Sequence, residues 1–271
     1  MASRRKGWKV ASKPTNLWIT GRYAVGEPEV RLICTPQAGA GAGAFSNWRR
    51  HLPEGVELAP VELPGRGTRE KEPLPADVEE LADALFEGLR AELTMPYLLF
   101  GHSLGGLLAY EVARRIEARG LPAPLAVLIS GARAPQVPSL RTMSDVDDDR
   151  LLGWIADNGG LPRELLSYPS FVAEILRAIR TDLRYAEQYL LPDPPALSSP
   201  LHVFGGLDDE ITPPEQLPRW ERVAGGEFSV TMLPGGHAFP HTDPAALLGF
   251  VRELLRVPAL GLGARVGTGV G

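Results

Sequence analysis

Short apolar runs rich in β-branched residues alternate along this chain with longer stretches whose apolar positions recur at helical spacing. Val30–Cys34, Val56–Val61, Tyr97–Phe100, Ala126–Ile129, Leu201–Phe204 and Ser229–Met232 read as strands. Helical periodicity predicts helices near Phe45–His51, Val78–Leu93, Leu104–Arg119 and Ala245–Leu255. Strands alternating with helices predict an α/β fold, a mostly parallel sheet flanked by helices. There are no repeats and no linker that would split the pattern into independent domains.

One interval is too long for a simple crossover. Gly131 to Pro200 is 70 residues, far more than one helix and two short loops need. Asp147–Asn158 and Ser170–Leu190 inside it both read as amphipathic helices, and Pro192, Pro194 and Pro195 close it. An excursion placed over the C-terminal edge of a sheet predicts a helical lid insertion at about 133–198. The expected layout is a basic N-terminal extension over 1–28, the domain with its lid over 29–257, and a flexible Gly-rich tail over 258–271.

Composition narrows the class. With 271 residues, 44% hydrophobic and 23% charged, the chain can bury a core without disulfides or structural metal. Its one cysteine, Cys34, fits a reducing, cytoplasmic setting. Six of the 28 basic residues lie within 1–26, where there is no acid; the remaining 22 face 33 acidic residues, a formal −11. So acidic a body argues against nucleic acid as a partner, which needs clustered cations. No stretch approaches the roughly 20 apolar residues that span a bilayer, and the basic start lacks the apolar run of a secretory signal. Nothing in the sequence argues against a monomer.

The strongest chemical signal is Gly101-His102-Ser103-Leu104-Gly105, between the Tyr97–Phe100 strand and the helix from Leu104. A serine there must sit on a very tight turn, and glycines two residues to either side let the strained backbone pass its neighbours. This matches the nucleophile elbow of α/β-hydrolases; the bland alternative is a Gly-rich turn with a capping serine. A hydroxyl is a weak nucleophile until a base accepts its proton. His237, in Leu233-Pro234-Gly235-Gly236-His237 after the Ser229–Met232 strand, stands where the base belongs, with His241 its competitor. His51 and His202 lie too early, and His102 is expected to pack beside the site. The orienting acid belongs in Gly205-Gly206-Leu207-Asp208-Asp209-Glu210; the turn spacing favours Asp209, with Asp208 the alternative.

Two backbone donors must meet the developing oxyanion. One is the N–H of Leu104, directly after the nucleophile. The other belongs to the loop Thr35-Pro36-Gln37-Ala38-Gly39-Ala40-Gly41-Ala42-Gly43, with Ala38 the candidate. That loop lacks the G-K-[ST] and the dinucleotide spacing of a phosphate cradle.

These segments together resemble the type II thioesterases, stand-alone editing hydrolases of polyketide and non-ribosomal peptide biosynthesis. The resemblance rests on Cys34-Thr35-Pro36-Gln37-Ala38-Gly39, Glu62-Leu63-Pro64-Gly65-Arg66-Gly67, Gly101-His102-Ser103-Leu104-Gly105-Gly106, and the pairing of Val203–Asp209 with Gly235-Gly236-His237. It spans about residues 30 to 255, and Asp182–Tyr189 fits the family's lid. Ala40 departs from it, standing where the family usually has a second consecutive glycine. The resemblance implies an acyl thioester substrate on the phosphopantetheine arm of an acyl or peptidyl carrier protein, with no cofactor and no metal. No carrier-like D-S-L segment precedes the first strand, so a free-standing enzyme is expected.

Carrier proteins are commonly acidic, so docking on an acidic body needs a local basic face. Arg177, Arg180 and Arg184 share one side of the second lid helix and are the candidates. The alternative is a solvated face paired internally to Glu174, Asp182 and Glu187. Arg66 is expected to hold its own loop. Two rival functions remain: a carboxylesterase or lipase on small free esters, and a non-catalytic binding module. The first lacks its usual H-G-G-G loop here; the second predicts a damaged triad.

Overall fold

A computed structural model describes residues 16–159, 164 and 167–256. Seven strands form one sheet: β1 (Tyr23–Ala24), β2 (Val30–Thr35), β3 (Val56–Pro60), β4 (Tyr97–His102), β5 (Ala126–Ser130), β6 (Leu201–Gly206) and β7 (Phe228–Leu233). Their order is β1-β3-β2-β4-β5-β6-β7, with only β1 antiparallel to its neighbour. β2, β4, β5 and β6 are apolar almost throughout because helices cover both of their faces.

On one face lie α1 (Val78–Leu89) and α2 (Leu104–Ala118). On the other lie a 3-10 stretch over Ala42–Arg50, bearing Phe45 and Trp48, and the C-terminal α6 (Ala245–Arg256). Asp77 caps α1 by accepting the Glu80 N–H at 2.8 Å, which explains where that helix starts. The short α5 (Phe239–Thr242) joins the second layer because Trp48 Nε1–H donates to the Pro240 carbonyl at 2.8 Å.

The domain begins earlier than the boundary expected at residue 28. Ile19 is fully buried and Tyr23–Ala24 pairs with β3, so 16–24 belong to the fold. Residues 1–15 and the tail from 257 lie outside the described residues. The long excursion holds α3 (Asp148–Asp157) and α4 (Pro169–Gln188), which pack on each other through Leu151, Ile155, Leu176 and Ile179.

Candidate active site

β4 ends in the turn that carries Ser103. Ser103 has φ +55°, the only positive φ of a non-glycine among the described residues. Such backbone is strained and persists only where its surroundings enforce it. The enforcement is close packing on either side. A Cβ at Gly101 would stand 1.9 Å from the Gly105 carbonyl oxygen, and one at Gly105 2.1 Å from that of Thr35. The two glycines thus let the elbow, the start of α2 and the loop after β2 approach backbone to backbone. Ser103 precedes α2 without capping it, which removes the capping-serine alternative. Its side chain lies in a cavity of about 500 Å³, whose wall also includes Ala38, Leu104 and His237.

His237 follows β7. Its Nδ1 lies 2.9 Å from Asp209 Oδ2, and Asp209 is itself buried, its Oδ1 accepting the N–H groups of Ile211 (2.8 Å) and Thr212 (2.9 Å). Three hydrogen bonds leave that carboxylate one orientation. Asp208 is exposed, so of the two neighbouring carboxylates it is Asp209 that meets His237. The carboxylate makes Nδ1 the protonated nitrogen, leaving Nε2 as the basic one.

The competitor His241 is committed elsewhere, its Nε2 2.8 Å from Gln37 Oε1. Burial pushes its pKa down to about 4. His102 packs beside the site with its ring centroid 4.8 Å from that of His237, and its Nδ1 lies 3.1 Å from both oxygens of Ser130. Burial, then the neighbouring His237 and His241, holds its pKa well below the usual histidine range. His237 therefore has neutral rings beside it, which do not oppose a charge developing on it.

The N–H of Leu104 is a first-turn donor of α2, without an intrahelical acceptor and at the positive end of the helix dipole. Ala38 occupies the second position of a turn closed by the Ala40 N–H donating to the Gln37 carbonyl at 3.1 Å. Gly39, third in that turn, takes φ +75°, the requirement of a type II turn. Ala40 takes no positive φ, so the departure there does not disturb the turn.

The three arginines of α4 do not form one uncommitted face. Arg180 donates to Asp148 Oδ1 at 2.5 Å and to the Ser144 carbonyl at 2.7 Å. Arg177 is exposed and approaches the Glu70 carbonyl at 3.4 Å, and Arg184 is exposed. Of the acids proposed to pair with them, Asp182 is buried against Arg66, Glu187 accepts from Met143 and Ser144, and the side chain of Glu174 lies outside the described residues.

Sequence reasoning missed two connections, Gln37–His241 and Arg66–Asp182. The second left a trace: Asp182 follows Ile179 by three residues and precedes Tyr185 by three and Ala186 by four, a carboxylate on an apolar helix face. That position demands a buried cation.

Apolar groups from α2 and the excursion, including Leu104, Leu107, Ile155, Ile179, Leu183 and Ala186, line most of the cavity. The family model for the thioesterase domain matches residues 30–255. The chain belongs to the thioesterase family. Thioesterase PikA5 of Streptomyces venezuelae is 33% identical over 228 residues, covering 83% of this chain and 80% of its own length. The gramicidin S biosynthesis protein GrsT of Aneurinibacillus migulanus is 27% identical, covering 89% and 95%. Among solved structures, the type II thioesterase BorB of the borrelidin biosynthetic cluster superposes with a TM-score of 0.80 at 33% identity, over 90% of this chain and all of that one. This thioesterase thus shares the α/β-hydrolase fold of its relatives. Among its described residues no helix is long and apolar enough to cross a membrane.

Proposed function

We propose that this thioesterase hydrolyses acyl thioesters from the phosphopantetheine arm of acyl or peptidyl carrier proteins, as a type II editing or release enzyme. One observation carries the reading: the strained Ser103 and the Asp209-held His237 line a single, mainly apolar cavity in a chain of this family. Such a cavity suits an acyl chain, and the names of its relatives belong to polyketide and peptide biosynthesis.

Ser103 Oγ attacks the thioester carbonyl while His237 Nε2 takes its proton. The carbonyl electron pair moves to oxygen, where the N–H groups of Leu104 and Ala38 receive it. Collapse breaks the carbon–sulfur bond, and His237 returns the proton to the departing pantetheine thiolate. Water, losing a proton to His237, attacks the acyl-serine; collapse then regenerates the Ser103 hydroxyl and releases the free acid. Asp209 fixes the tautomer of His237 and stabilises its imidazolium form. The walls around this chemistry come largely from the 133–198 excursion, which serves as its lid.

Intact mass of a propionyl-loaded carrier protein, followed with the wild type and Ser103→Ala, tests this reading. The expected result is loss of the propionyl mass with wild type alone, the phosphopantetheine arm remaining on the carrier. A carrier left loaded by a wild type that still cleaves a nitrophenyl ester would keep the triad and refute the substrate class.

A further inference from the structure

The loop after β2 is gripped by charged groups outside the triad. Arg66, from the turn after β3, and Asp182, from α4, form a buried pair, with Nη2 donating to Oδ1 at 2.9 Å and Nη1 to Oδ2. Arg66 also donates to the carbonyls of Pro64 (3.2 Å) and Ala40 (3.3 Å). Asp182 Oδ2 accepts, in addition, the N–H of Gly39 at 2.7 Å. On the far side of the loop the buried Glu62 Oε1 lies 3.4 Å from the Ala42 nitrogen and accepts its N–H.

The bond to Gly39 falls on the peptide that defines the turn. Type I and type II turns differ in the orientation of the peptide between their two central residues, here Ala38 and Gly39. An acceptor fixed on the Gly39 N–H selects one orientation, and a flip would turn that N–H away from Asp182. The contact has no slack, since a Cβ at Gly39 would stand 2.5 Å from Ile179 Cγ1, also on α4. The adjacent peptide carries the Ala38 N–H. That donor lies one peptide before the pinned one, so its place beside Ser103 follows from where the loop is anchored by a carboxylate that α4 supplies and Arg66 holds.

We infer that Asp182 is a positioning residue for the oxyanion hole, anchoring the Gln37–Ala40 turn through Gly39 so that the Ala38 N–H keeps its place, with Arg66 fixing the carboxylate. The inference rests on the Ser103 and Ala38 assignments proposed above. In consequence, α4 is not a freely swinging flap. Any displacement that separates Asp182 from Gly39 also unsets the hole, so catalysis is coupled to the seating of this helix.

The test compares Asp182→Asn and Asp182→Ala with wild type on a nitrophenyl ester and measures inhibition by phenylboronic acid, whose serine adduct is a tetrahedral anion. Removing an oxyanion donor outright costs on the order of 10²–10³ in kcat; misaligning one should cost about tenfold in Asp182→Asn and more in Asp182→Ala. KM should stay within about threefold, and boronate affinity should weaken in step with kcat, because a misaligned donor is felt by the tetrahedral anion more than by the ground state. Thermal midpoints separate this from loss of fold, and Asp182→Asn, which keeps the side chain's shape, decides if Asp182→Ala does not fold. A lower midpoint with unchanged kcat and boronate affinity would overturn the inference, as would a raised KM alone. A wild type untouched by the boronate would overturn the Ser103 assignment and this inference with it; an inhibited wild type with an equally inhibited Asp182→Asn overturns the inference alone.

Discussion

Two adjacent aspartates illustrate how far a residue's role depends on a few ångströms. Asp208 faces solvent, whereas Asp209 is buried with both oxygens occupied, one by His237 and the other by the backbone of its own turn. An amide at 209 would present either a donor or a weaker acceptor to the imidazole, favouring the wrong tautomer. In Asp209→Asn we therefore expect kcat to fall by about 10⁴-fold, the loss seen when the orienting acid of a serine triad is neutralised. Asp208→Asn should remain within about twofold of wild type. Steady-state kinetics of the two variants on one ester checks both, and equal effects would contradict the assignment. Residue types and spacing made the three candidates legible in the sequence, but the choice between neighbouring carboxylates depends on turn geometry that spacing does not encode. Arg66–Asp182 was harder still, because its members lie 116 positions apart.

Among the elements, strands and helices emerged wherever burial imposed a clear period. β2, β4, β5 and β6 and helices α2 and α6 lie within a residue or two of their apolar patterns. What escaped was held by single contacts instead of a period. β1 is two residues long and exists through pairing with β3, and α5 is four residues long and anchored by Trp48. α5 matters because it brings His241 to Gln37, joining the last part of the sheet layer to the loop after β2. His102 also faces His241, as a neutral ring, and His237 opposes a charge on it. Its pKa of about 4 in the fold lies below the usual 6.5, so the unfolded chain takes up a proton first as pH falls. Its contribution to stability is intact above about pH 6.5 and is lost progressively toward pH 4, by on the order of 3 kcal/mol at most. Chemical denaturation across that window should show His241→Gln losing stability less steeply than wild type, part of the slope persisting because the pKa of His102 is also depressed. Parallel slopes would contradict the reading of a neutral, buried His241.

For the whole molecule, the sheet brings together residues far apart in the sequence by placing the loops after β2, β4, β6 and β7 at one edge, where the excursion covers them. Ligand sites at the carboxyl ends of parallel strands follow the general logic of open α/β sheets. The family's motifs made this arrangement readable before the fold was known. The docking face was not readable in the same way: Arg180 is engaged within the excursion, and helical spacing alone cannot reveal a partner on another element. In the proposed reaction, carrier-bound acyl groups pass through a covalent intermediate on Ser103. The most direct measurement mixes the enzyme with excess propionyl-loaded carrier, quenches with acid within milliseconds, and weighs the peptides of a digest. A propionyl mass is expected on the peptide containing Ser103, absent in Ser103→Ala. Rapid deacylation of the carrier with no acyl mass on that peptide at any time, even in an Asp209→Asn variant slowed at both steps, would contradict it.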